Sequence, residues 1–492
     1  MQCGESVELV VAALGAADAP EVQYEAAWCV TNIASGTAAD TARLVACGAV
    51  PRLVALLAGA ASDVLREQAL WALGNIAGDG AGARDAVLAA PGLAVAVQAA
   101  VRGADTRALL RTAAWALLLL CRGDPAPSLG AVRALLPALG VLLHSRDGAV
   151  AGDACAALLC VATGASADGG LCARVDAVVA LGVVRRVTEL LYSPAPGVAQ
   201  CAVRLLGRVA AGTDAHTQTV INVGALPALR SLLASADRGV RQDACWALSN
   251  ITAGRREQVE AVLAADLLPP LLAAVRSPEL DVRREAAYAV ANACCAGAVP
   301  QVQEAARAGA LDALCGLLAA TRDSRLLATV LEALERIVRA GDYGLPGQRD
   351  DDNVFLRRAD ELGAVAQLEA LAERHTDAAV VGAAERLLRR FSDAADDDEA
   401  GDFLEDDEEY DEADGDDDDD AFRTLMDAAA NATTGGRADD DCDDDDDENG
   451  DVISVPDMPS AGPVAVPPPV AAVNWGAAQA PSAQQQPSLF FQ

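Results

Sequence analysis

An all-α solenoid of stacked helical repeats is the fold this sequence predicts. A helical phrase returns every 42 to 44 residues along a chain of 492. The chain is 52% hydrophobic but only 3% aromatic, a composition suited to closely packed Ala, Leu and Val helices. One compact core is not expected, because cores stop growing near roughly 250–300 residues. Apolar residues recur at i, i+3, i+4 and i+7, the period of amphipathic helices rather than strands. A unit this short cannot bury its stripe alone, so neighbours must stack.

The first copy of the phrase runs from Glu25 to Gly36, with Trp28 and Asn32 one helical turn apart. It returns from Glu67 to Gly78 with Trp71 and Asn75, and from Thr112 to Leu119 with Trp115. It returns again from Asp243 to Gly254 with Trp246 and Asn250, and from Glu285 to Asn292 with Tyr288. Trp115 and Trp246 stand 131 residues apart, three periods, so two degenerate copies are expected between them, at Asp153–Cys160 and Ala202–Arg208. A second phrase opens on Gly48, Gly224 and Gly309, where glycine suits a helix-to-helix turn. Two more degenerate copies follow Gly309 and Gly363, the last ending near Phe391, and the stretch from Gly341 to Asn353 is expected as a loop. The reading is a solenoid over 1–391 of about nine repeats, the first incomplete.

Charge marks a boundary after that. Residues 392–460 hold 31 Asp/Glu against Arg423 and Arg437, a net of −29, whereas 1–391 carry −6. Such a self-repelling segment cannot bury apolar area, so 392–460 is expected to be an acidic disordered segment and 461–492 a disordered Pro/Ala/Gln-rich tail. The chain has no Lys, and no Lys/Arg stripe to displace counterions from a duplex, so direct nucleic-acid binding is not expected. No apolar stretch approaches the roughly 18 residues that span a bilayer, so membrane insertion is not expected. Thirteen Cys scattered without CxxC pairs point to a reducing compartment.

Catalysis finds no support. His144, His216 and His375 sit in unrelated contexts, with no nucleophile phrase and no phosphate loop, so no catalytic residue, metal or cofactor is expected. Cys29, Cys155, Cys201 and Cys245 lie at apolar helix positions and read as buried small hydrophobes.

The Trp–Asn pairs are different, because core helices of Ala and Leu have no use for them. Buried Asn needs partners for two donors and an acceptor, and repeating that need at Asn32, Asn75, Asn250 and Asn292 costs stability each time. One answer is an internal Asn ladder bracing the solenoid. The preferred one is a ligand: an extended peptide rises roughly 3.3 Å per residue and helices pack roughly 8–10 Å apart, so each repeat meets about three peptide residues. Asn bridges the peptide backbone, Trp slots accept aliphatic stems and cationic heads, and Glu67, Asp79 and Glu285 select Lys or Arg. The expected ligand is a short, extended, basic peptide.

At these residues the chain resembles the importin alpha family, armadillo-repeat receptors of nuclear localisation signals. The likeness covers about residues 18–391 and is carried by Trp28 to Thr37, Arg66 to Asp79, Gly212 to Asp214 and Trp246 to Arg255. It implies a right-handed superhelical solenoid and a cargo adaptor for protein import, found in cytoplasm and nucleus, that binds Lys/Arg-rich signals in a concave groove. It implies a major site of Trp28, Asn32, Ser35, Gly36, Thr41, Gln68, Trp71, Asn75, Asp79 and Trp115. Within it, the Gly36 carbonyl, Thr41 and Asp79 would form a lysine pocket. A minor site would use Trp246, Asn250, Glu285, Tyr288 and Asn292.

Three departures from the family pattern bear on partners. An Arg/Lys-rich segment that binds importin beta is expected ahead of the repeats, and Met1 falls inside the first one, so importin beta is expected as a partner only with such a segment. An export carrier is also among the implied partners. Leu119 and Thr112 stand where the major site expects Asn, and Arg208 replaces a minor-site Asn. Two alternatives are carried: a beta-catenin-like scaffold for signalling or adhesion partners, and an import-family form that binds cargo without recruiting importin beta.

Overall fold

The computed structural model describes residues 2–164, 170–343 and 353–400. Among these the chain is helical, with no strand. It opens on a pair, α1 (Gln2–Ala13) and α2 (Pro20–Ala34), and continues in triples. The first four are α3 (Ala38–Ala46), α4 (Ala49–Gly59) and α5 (Asp63–Gly78); α6 (Ala81–Leu88), α7 (Leu93–Arg102) and α8 (Arg107–Cys121); α9 (Leu129–Arg133), α10 (Leu136–Leu143) and α11 (Gly148–Thr163); and α12 (Leu171–Val179), α13 (Val184–Leu190) and α14 (Val198–Ala210). The next two are α15 (Asp214–Asn222), α16 (Ala225–Leu232) and α17 (Arg238–Thr252), then α18 (Arg256–Ala264), α19 (Leu268–Val275) and α20 (Leu280–Ala296). The last two are α21 (Val299–Arg307), α22 (Ala310–Cys315) and α23 (Ser324–Gly341), then α24 (Val354–Glu361), α25 (Ala364–Arg374) and α26 (Ala378–Ala400). No single helix among the described residues is long and apolar enough to cross a membrane.

Local chemistry sets the joints of each triple. Gly48, Gly224 and Gly309 have φ of 77°, 84° and 108°, a left-handed backbone that lets a first helix stop and a second start with no loop between them. Thr37 opens α3 with a capping box, its hydroxyl accepting from the Asp40 amide while the Asp40 carboxylate accepts from the Thr37 amide. Asp323 and Asn353 cap α23 and α24 in the same spirit.

The third helices form a continuous ladder, α2 on α5, α5 on α8, and so on to α23 on α26. Small side chains make this possible. Ala27, Ala69, Ala72, Ala113, Ala154, Ala202, Ala244, Ala286 and Ala287 are fully buried between them. Degenerate copies at α11 and α14 keep the stack although neither carries a Trp.

Two expectations change. Helix α26 continues past Phe391 to Ala400, so residues 392–400, expected as the start of a disordered segment, are helical. Three Ala and one Glu favour the helix there against four weaker Asp, and no Gly or Pro interrupts it between Phe391 and Gly401. The remainder of the acidic segment and the Pro/Ala/Gln tail lie outside the described residues, as do residues 344–352 of the expected loop. Cys29 is exposed rather than buried. The corresponding position after the aromatic residue is buried in later repeats, at Ala72, Ala116, Ala247 and Ala289, because a preceding third helix covers it. Among the described residues no third helix precedes α2.

Candidate functional site

The aromatic residues of the repeated phrase sit on the third helices, α2, α5, α8, α17 and α20, and each is half-buried. Glycine seats two of them, Trp115 and Trp246. A Cβ added to Gly74 would meet the six-membered ring of Trp115 closer than 3.0 Å, and one added to Gly207 would do the same to Trp246. The indole of one repeat therefore lies against the bare backbone of the preceding third helix, with part of its face left open.

The Asn residues one turn further on reach the same helices. Asn75 donates from Nδ2 to the Thr31 carbonyl at 3.1 Å, Asn250 to the Gly207 carbonyl at 3.1 Å, and Asn292 to the Ser249 carbonyl at 3.0 Å. Each acceptor is the residue just before the Asn position of the preceding repeat. The bracing ladder, the less favoured of the two readings from sequence, is thus present in three repeats. It uses one amide hydrogen and leaves the rest of each amide for other partners: Asn292 Oδ1 is enclosed with no partner among the described residues. Asn32 is exposed at the end of the ladder and makes no such bond.

Other residues expected in the major site divide into open and closed. Ser35, Gly36 and Asp79 are exposed, and Asp79 forms the C-terminal cap of α5. Thr41 is fully buried with its hydroxyl directed at the Ala34 carbonyl, 3.5 Å away. Gln68 is buried too, donating to the Thr31 hydroxyl at 2.7 Å, and so acts first as a brace between α2 and α5. In the minor set, Glu285 is nearly buried beside Arg284, and burial raises the Tyr288 phenol above its ordinary value.

Carboxylates line the same face. Burial raises the pKa of Glu67, opposed by a hydrogen bond from the Thr112 hydroxyl at 3.3 Å, so Thr112 ties α8 to α5 where an Asn was expected. Asp153 on α11, three residues before the aromatic position, was not singled out from sequence. Burial alone lifts it to about 6. Asp243 is raised by burial as well, and accepts from Arg204 Nε at 2.8 Å and Gln200 Nε2 at 3.0 Å. Leu119 packs beside Gly78 and can make no backbone bridge. Arg208 is 7% exposed, and its place in the ladder is taken up below.

Comparison with known proteins agrees with this architecture. The repeat family described as Armadillo/beta-catenin-like repeat matches residues 38–78, 213–253 and 255–295, each stretch a single triple of helices. The chain is 43% identical over 207 residues to importin subunit alpha-1b of Oryza sativa subsp. japonica, covering 42% of this chain and 37% of that protein. It is 44% identical over 174 residues to importin subunit alpha-2 of Arabidopsis thaliana, covering 35% and 31%. The probable importin subunit alpha-A of Dictyostelium discoideum is 33% identical over 204 residues, covering 39% and 36%. The chain thus spans about a third of the length of these relatives. Among solved structures, an engineered protein aligns with a TM-score of 0.67 and 29% identity over 78% of this chain and 88% of that one. The helix triples and the repeat matches identify an armadillo-repeat fold, and over part of its length the chain is similar to importin alpha subunits.

Proposed function

We propose that this chain is a nuclear import adaptor whose third-helix face binds the Lys/Arg-rich localisation signals of cargo proteins. One observation carries the reading: Trp28, Trp71 and Trp115 recur on three successive, directly packed helices, each half-open, with the exposed Asp79 carboxylate at the end of the central one. Slots between indoles hold aliphatic stems and favour cationic heads by roughly 0.5–2 kcal/mol each. Carboxylates Glu67, Asp79 and Asp153 reject acidic peptides, which disfavours a scaffold for acidic partners. Importin beta and an export carrier are the partners such an adaptor needs to move between cytoplasm and nucleus.

The test is fluorescence anisotropy of the full chain with a labelled Lys-rich peptide. Asp79→Lys turns an attractive slot end into a repulsive one and is expected to weaken binding at least tenfold. Glu373→Lys makes the same charge change at an exposed position on α25, which is not a third helix, and is expected to change little. Equal affinity for wild type and Asp79→Lys would sink the site.

A further inference from the structure

We infer that the Arg208 guanidinium receives a carboxylate from the bound peptide, so that the ligand carries an Asp or Glu between its basic residues. This rests on the peptide-receptor reading above and adds to it an acidic specificity position.

Arg208 holds on α14 the register that Asn250 and Asn292 hold on α17 and α20. Its neighbour Gly207 accepts from Asn250 and lies against Trp246, which places residue 208 on the ligand-facing side of the ladder. From α2 to α20 the other third helices put a neutral residue at this register: Asn32, Asn75, Leu119, Cys160, Asn250 and Asn292. Within that run Arg208 alone brings charge, and it is 7% exposed. Among the described residues its guanidinium makes no hydrogen bond or ion pair, and Nε is wholly enclosed. Asp243, the carboxylate on the adjoining helix, is already held by Arg204 and Gln200.

An enclosed cation without a partner is unfavourable, and burial accordingly lowers the Arg208 pKa. Its place in the last turn of α14 offsets a part through the helix dipole. A carboxylate meets the remaining need, because its two oxygens match the planar fork of the guanidinium. Helices α14 and α17 are packed neighbours. At roughly 8–10 Å per helix and 3.3 Å per residue, the acid belongs about three residues from the one in the Trp246 slot.

The test uses the full chain and peptides with two Lys-rich clusters joined by a neutral linker, into which one Asp, or the isosteric Asn, is moved position by position. At one position Asp is expected to bind about tenfold tighter than Asn. In Arg208→Asn, which restores the residue type of the neighbouring repeats, the two should bind equally. Equal affinity of Asp and Asn peptides at every linker position in the wild type, or a preference that persists in Arg208→Asn, overturns the inference. A second measurement needs neither a variant nor a basic cluster: titration with N-acetyl-aspartate methylamide should shift one arginine Nε–H resonance saturably, while the Asn analogue leaves it in place. No such shift overturns the inference. If Lys-rich peptides fail to bind at all, the receptor reading falls while this resonance still decides the role of Arg208.

Discussion

The side-chain amide of Asn250 donates to the carbonyl of Gly207, 3.1 Å away, and the α-carbon of that same glycine carries the Trp246 indole. Gly207 also accepts the helical bond from Ala211 at 2.9 Å. Gly207 is therefore the seat for both signature residues of the next repeat. A change at the seat disturbs the aromatic slot and the Asn ladder together.

Gly207→Ala and Gly74→Ala test the seat. Alanine normally gains up to about 1 kcal/mol over glycine inside a helix. Here the new methyl meets an indole closer than 3.0 Å, and overpacking of that kind costs about 1–3 kcal/mol. Both variants are expected to unfold at lower urea and to shift tryptophan emission. Gly78→Ala, whose methyl finds Leu119 at an ordinary 3.5 Å, is expected to be neutral or stabilising. The same sign in all three would show that the indoles are free to move aside.

Removing the ladder is a separate matter. Asn75→Ala and Asn250→Ala each delete one cross-helix hydrogen bond whose acceptor remains in its own helix, so each is expected to cost about 1 kcal/mol. Asn32→Ala makes no such loss, because Asn32 is exposed and bonds to no neighbouring helix. Thermal denaturation of the three variants checks this. A cost at Asn32 matching that at Asn75 would mean the bracing bond is not what is being measured.

The stacking was legible because Trp, Asn and the opening glycines recur at a fixed period, and each maps to a third helix or a helix junction. Degenerate copies at α11 and α14 were placed by counting periods, and two more by the phrases opening on Gly309 and Gly363. The target of each Asn was not legible, since the acceptor lies some 43 residues away and depends on how adjacent helices slide. The role of Gly74 and Gly207 was not legible either, since the indole above each comes from the following repeat. Asp153 stands in an apolar phrase whose pattern gives no sign of how far its carboxylate is withdrawn from water. The exposure of Cys29 follows from its place at the end of the ladder, which the local phrase does not encode.

Asp153 gives a pH signature. Its folded pKa of about 6 lies above the ordinary unfolded value near 3.9, so its ionisation disfavours the folded state. Below the unfolded value the carboxyl is neutral in both states and there is no penalty. Above about pH 6 the penalty is fully present, at most about 3 kcal/mol. Asp153→Asn is expected to stabilise the chain at pH 7.5 and to leave it unchanged near pH 3.5. Denaturation midpoints at the two pH values provide the check, and an equal difference at both would mean that Asp153 titrates normally. In the wild type, a bound cationic side chain beside Asp153 should pull its pKa down, so peptide affinity should fall as pH drops through 6.

Leu119 offers the way to separate bracing from binding. It stands on α8 where the ladder expects Asn, so by register the Gly74 carbonyl has no side-chain amide facing it, whereas the carbonyls of Thr31, Gly207 and Ser249 each accept from one. Leu119→Asn exchanges half-buried apolar surface for one hydrogen bond, two terms of about 1 kcal/mol that nearly cancel. Stability is therefore expected to change little. Affinity for a basic peptide reaching the Trp71–Trp115 slot should tighten severalfold, because the second amide hydrogen and the Oδ1 are then available to the peptide backbone. A peptide confined to the Trp246–Tyr288 region should bind as before. If the variant gains stability but no affinity, the Asn ladder serves only to brace the helices, and recognition must rest on the indoles and carboxylates alone.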